Sequence, residues 1–141
     1  MSTTQRDLKN RLFDQADKIA LHIAKLLLYP ESASKNHWIT EIHAFLYDVP
    51  KLKTNNKRPS PEFISKALID YSGDRGEDFC RYAIKEENNS NYSSISCDAI
   101  NKACCEYFSW LGTSLNKDKV SLDDVSSELS TIMEKYGGDN Q

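Results

Sequence analysis

Taken at about 100° per residue, the apolar positions between Thr4 and Tyr29 gather on one side of a helix. Leu8, Leu12, Ala16, Ile19, Ile23, Leu26 and Leu27 share one arc, with Ala20 and Phe13 at its margin. Pro30 ends this element, because proline has no N–H to donate and pushes the preceding residue out of the helical region. After "ESASKN", Trp38, Ile39, Ile42, Phe45, Leu46 and Val49 form the apolar face of a second helix, which Pro50 stops. The stretch "KLKTNNKRPS" is polar, basic and without period, and reads as a loop.

Ser60-Pro61 is a start signal, a capping hydroxyl followed by proline at the first helical position. Phe63, Ile64, Ala67, Leu68 and Tyr71 make the third helix, with Gly73 as its terminator. "GEDFCRYAIKEEN" supports a shorter fourth, packing through Phe79, Tyr82 or Ala83, and "NNSNYSSIS" is a loop of turn formers. From Ser96 to Leu111 a fifth helix places Ile100, Cys104, Tyr107, Phe108 and Leu111 on one face, with Cys97 two turns earlier on the same side. Ser121 opens the last helix with a cap-like S-x-x-D to Asp124, and Gly137-Gly138 closes it after Leu122, Val125, Leu129, Ile132, Met133 and Tyr136. No stretch alternates with period two for long enough to demand a strand. The expectation is an all-α fold, one domain over residues 1–141, with five or six helices in a bundle or orthogonal array. The first, second, fifth and sixth helices are expected to supply most of the core.

Composition agrees with a globular chain: of 141 residues, 39% are hydrophobic and 28% charged, enough apolar material for one core. The N-terminal "MSTTQRDLKNRLF" carries charge and helical rhythm at once and lacks the apolar stretch of a signal peptide. The longest apolar run, "LLLY", is far short of the ~20 residues a bilayer needs. A cytoplasmic location with reduced thiols and no membrane partner is therefore expected.

Three of the four cysteines fall within residues 97–105. A zinc site calls for C-x2-C pairs or histidines at similar spacing, and neither is present. Cys97 and Cys104 lie in the apolar arc and read as core residues, since free cysteine packs as a small hydrophobe; Cys105 reads as the exposed thiol. His37 and Glu41 are four apart on one side of the second helix. His22 and His43, with Asp14 or Asp17, are the candidates for a metal site between helices, which would make the protein a metal-dependent helical-bundle enzyme. No repeated E-x-x-H or H-x-x-x-H pattern supports that site, so no metal and no cofactor are assigned. A phosphate loop, a nucleophile elbow, an H-E-x-x-H and an EF-hand loop are all missing from the sequence, and no catalytic residue is assigned. Most of the five glycines sit where helices are expected to end.

Charge separates along the chain. Residues 1–60 carry a net +4 and residues 61–141 a net −7. The favoured reading is a non-catalytic interaction protein that binds and neutralises or regulates a macromolecular partner, as an immunity, antitoxin or inhibitor protein does. Asp70, Asp74, Glu77, Asp78, Glu86 and Glu87 would face a basic protein, since complementary charge speeds association. The alternative is a nucleic-acid-associated regulator using Lys51, Lys53, Lys57 and Arg58, although the pI of about 5.6 is far from that of a dedicated nucleic-acid binder. A homodimer is compatible with each reading.

Overall fold

A computed structural model describes residues 5–48, 60–71, 76–117 and 120–137. The basic segment with Lys51, Lys53, Lys57 and Arg58, the expected terminator Gly73 and the acidic Asp74 lie outside the described residues. Among those described there are six helices and no strand, and the fold is all-α: α1 Gln5–Leu28, α2 Lys35–Asp48, α3 Pro61–Asp70, α4 Gly76–Glu87, α5 Cys97–Lys117 and α6 Leu122–Tyr136. No helix among them is long and apolar enough to cross a membrane.

α1 is the central element and touches every other helix. Its expected arc is buried throughout, from Leu8 to Leu27. The last two turns exceed that arc, because every residue from Ile23 to Tyr29 is buried. An amphipathic helix has become a wholly interior one at this end. α2 and α4 pack on it, α3 lies against α5, and α6 closes the remaining side against α5 and α2.

The caps follow the sequence signals. Ser60 accepts a hydrogen bond from the Phe63 N–H, with Pro61 in the first turn. Ser121 and Asp124 form a reciprocal capping box, with the Ser121 N–H donating to the Asp124 carboxylate at 3.0 Å and the Asp124 N–H to the Ser121 hydroxyl at 3.1 Å. Asn88 ends α4 with φ of 50°, a left-handed turn that asparagine tolerates.

The core differs from expectation in three places. α3 contributes as fully as α6, burying Ile64, Ala67, Leu68 and Tyr71. Edge-on ring contacts run from Phe13 in α1 to Tyr71, then Phe108 and Tyr107 in α5, with centroid separations of 5.5, 4.7 and 5.6 Å. Gly112 does not end α5, which continues to Lys117. It lies where α3 presses closest: a Cβ at this position would sit 2.7 Å from the Ser65 carbonyl oxygen and 2.7 Å from Ile69 Cγ1. The Ser65 hydroxyl reaches across the same contact and donates to the Gly112 carbonyl at 2.6 Å. Lastly, Tyr82 points outward, leaving Phe79 and Ala83 to anchor α4.

Two outcomes follow for stability. Gly112→Ala gains about 1 kcal/mol of helix propensity but drives a methyl group into a backbone carbonyl that has no rotamer to change, an overpacking cost of ~1–3 kcal/mol. A net loss of up to about 2 kcal/mol is expected in denaturant unfolding. The Asp124 carboxyl is held below its ordinary pKa by the Ser121 N–H it accepts. Its contribution is therefore complete above the unfolded pKa of about 4 and is lost as pH falls through the lower folded value. Asp124→Ala is expected to lower the unfolding midpoint at pH 7, with the deficit closing as pH drops below ~4.

Candidate functional site

The heptapeptide Ile23-Ala24-Lys25-Leu26-Leu27-Leu28-Tyr29 contains one charge in an otherwise apolar run. Lys25 stands on the far side of α1 from the apolar arc, where a lysine is expected to be solvated together with Lys9, Arg11 and Lys18. Instead it is buried, with 7% of its surface exposed. An ammonium cannot be buried alone without several kcal/mol of desolvation cost. Its partners are Glu86 and Glu87, each placing a carboxylate oxygen 3.3 Å from Nζ, and it also lies 6.0 Å from the centroid of the Trp38 ring.

This contact orients α4. Phe79 and Ala83 face the core with Gly76, and the helical period brings Glu86 and Glu87 round to that inner side one turn later. Glu77, Arg81, Tyr82 and Lys85 are exposed on the outer side, with Asp78 next to them and paired to Arg81 at 2.6 Å. Of the six acidic residues expected to face a partner, Glu86 and Glu87 direct their charge to Lys25 and Asp78 to Arg81. Glu77 and Asp70 stand exposed on α4 and α3.

Beyond α4 the chain returns over the end of α1. The Ser93 N–H donates to the Leu28 carbonyl at 2.8 Å and its hydroxyl to the Leu27 carbonyl at 2.7 Å, satisfying acceptors left open where the helix stops. The Tyr29 hydroxyl donates to the Asn89 carbonyl. Burial, and then the charge of Glu87, raises the Tyr29 pKa, so the hydroxyl keeps its proton. Tyr92 packs edge-on against Tyr29, with centroids 6.3 Å apart. A cleft of about 460 Å³ opens between these pieces, lined by Tyr29, Pro30, Glu31, Asn89, Asn91 and Tyr92.

Two aromatic rings here are exposed: Tyr82 on α4 and Tyr92 in the segment leaving it, at 50% and 45%. The sequence located the acidic residues here and offered Tyr82 for the packed side; on a helical wheel Tyr82 falls between Phe79 and Lys85, so periodicity alone leaves its exposure open.

The histidines divide between two places. The His22 ring donates from Nδ1 to the Lys18 carbonyl at 2.8 Å and turns Nε2 to the Glu41 carboxylate. The other Glu41 oxygen is 2.7 Å from His37 Nε2, so two imidazoles share one carboxylate. His43 faces elsewhere, with Nε2 3.3 Å from the Val120 carbonyl. His22 and His43, the candidates for convergence on a metal, thus make separate contacts, and among the described residues no group of three histidine, cysteine or acidic side chains is arranged to hold a metal.

A second depression, an open groove of about 1040 Å³, follows the outer stripe of α5, with Asn101, Cys105, Trp110 and Thr113 in its lining and Tyr136 of α6 at its side. Its charges are engaged locally: Asp98 pairs with Lys102 at 3.2 Å, and Glu106 with Lys135 at 2.6 Å.

Breaking a buried ion pair from one side is expected to cost more than removing it whole. The double variant Glu86→Gln/Glu87→Gln should lose about 2–3 kcal/mol in urea unfolding at pH 7, below the 3–5 kcal/mol of a fully enclosed pair because Glu86 is half exposed. The triple variant Lys25→Met/Glu86→Gln/Glu87→Gln, which removes the group whole, should cost less than half as much. Compared with family models, with curated proteins and with solved structures, the chain matches none of them.

Proposed function

We propose that this is a non-catalytic binding protein that docks on, and holds or neutralises, a protein partner through the outer face of α4 and the segment that follows it. The observation that carries this reading is the exposure of two tyrosines, Tyr82 on α4 and Tyr92 in the segment that follows it. Tyrosine is enriched among the residues that dominate binding energy, because a rigid ring supplies area at low entropic cost and its hydroxyl adds a hydrogen bond. The cleft beside Tyr92 would take one anchoring side chain, and its Glu31, Asn89 and Asn91 suit a basic or amide group. Electrostatic steering would come from Glu77 and Asp70 rather than from the whole acidic set, so the partner is basic only where it meets them. The helix itself is preorganised by the Lys25 contact, which lowers the ordering cost of docking.

The test is affinity purification of the tagged protein from its own cells at low salt, with wild type, Tyr82→Ala, Tyr92→Ala and a control on α6, Glu134→Ala. A stoichiometric protein retained by wild type and the control, and weakened about tenfold (1.4 kcal/mol) by either tyrosine variant, is the expected result. A partner indifferent to both tyrosine substitutions contradicts the docking face. Nucleic acid released by salt would transfer the assignment to Lys51, Lys53, Lys57 and Arg58, and bound metal lost on mutating His22 or His43 would transfer it to a metalloenzyme.

A further inference from the structure

The cysteines that cluster in sequence separate in space, and a different pair comes together. Cys104 is wholly buried in the core, its sulfur 3.9 Å from the Ala20 carbonyl, whereas Cys105 is exposed. Cys97, at the first position of α5, is only partly buried, and its sulfur lies 3.4 Å from that of Cys80 in α4. No disulfide joins any of the four. The backbones around the pair are close: one turn before Cys80, on the same side of α4, Gly76 sits so near the Cys97 carbonyl oxygen that a Cβ would be 2.3 Å from it. Sulfurs in van der Waals contact need to approach by only about 1.4 Å to reach the ~2.05 Å of a bond.

We propose that Cys80 and Cys97 are a peroxide-sensitive dithiol that closes to an intramolecular disulfide and clamps α4 onto the start of α5. Hydrogen peroxide is the oxidant. The Cys97 sulfur, at the positive end of the α5 dipole, attacks one peroxide oxygen; the O–O bond breaks, and the leaving hydroxide takes the Cys97 proton to become water. The Cys80 sulfur then attacks the sulfur of the Cys97 sulfenic acid. The S–O bond breaks, and the second hydroxide leaves as water with the Cys80 proton. Two thiols and one peroxide become one disulfide and two waters, the peroxide accepting both electrons.

The Cys80 thiol is pushed up to about 12, first by burial and then by its contact with Cys97 and the charge of Glu77. The closing step is accordingly slow beside that of a dedicated sensor thiol, and the dithiol responds to sustained rather than brief oxidation. The bond would close a loop over residues 80–97, the stretch that also carries Glu86, Glu87 and Ser93. This proposal stands whether or not α4 docks a partner.

Trypsin makes the test direct, because its sites isolate the thiols in peptides 76–81, 86–102 and 103–117. The folded full-length protein is treated with hydrogen peroxide, alkylated with N-ethylmaleimide, digested and weighed. The expected product is peptide 76–81 joined to 86–102, lighter by two hydrogens than their sum, dithiothreitol-reversible and monomeric on a non-reducing gel. The oxidised protein should melt roughly 5–10 °C higher than the reduced form, as a crosslink fitting the native geometry does. Recovery of both peptides singly alkylated, with oxidation confined to 103–117 or to intermolecular dimers through Cys105, would overturn the proposal. So would a joined product that melts below the reduced protein, since that bond would have formed only by distorting the fold.

Discussion

Lys25 sets the terms for this fold. A buried ammonium is tolerable only where carboxylates reach it, and both of its carboxylates come from the last turn of α4. Phe79 and Ala83 give α4 its apolar contact, and Gly76 its close approach to the Cys97 carbonyl. The charges add a further constraint, because a shift along α1 would strand Lys25 without a partner. The ion pair thus contributes to register as well as to stability, a use of buried charge with precedent in helical assemblies. With α4 fixed, Asn88 turns the chain and Ser93 returns to cover the open carbonyls of Leu27 and Leu28. The lone charge and the helix end are thus satisfied by the two halves of one excursion.

The same geometry determines what the surface offers. Glu86 and Glu87 place carboxylate oxygens on Lys25, although Glu86 stays half exposed. The outer stripe of α4 mixes Glu77, Asp78, Arg81, Tyr82 and Lys85, with Asp78 and Arg81 paired to one another. The binding proposal therefore rests on exposed aromatic area as well as on charge. Along α5, the open groove has its charged residues paired, Asp98 with Lys102 and Glu106 with Lys135.

How much of this was legible varied with the range of the interaction. The helix starts at Ser60 and Ser121 and the arc of α1 were readable because their causes lie within a few residues of each other. Lys25 was misplaced among the solvated lysines because its partners come some sixty positions later; the hint was its isolation in an apolar run. Gly112 looked like a terminator since nothing local records that α3 crosses there. The cysteines failed in the same way: Cys97 is nearer in sequence to Cys104 and nearer in space to Cys80. Local chemistry could be read, and pairwise convergence of helices could not. The histidines repeat the lesson, with Glu41 joining His22 to His37 across α1 and α2 while His43 looks toward Val120.

The most direct test of the central claim is native-state hydrogen exchange on the unmodified protein at neutral pH, resolved to single amides. If the Lys25 contact and its covering segment form one unit, the Ser93 amide, bonded to the Leu28 carbonyl, should open with the same free energy as the interior amides of α4 and the last turn of α1. Exchange of Ser93 at loop-like rates while α4 stays protected would show that the segment is an independent surface loop, and that the buried lysine does not organise it.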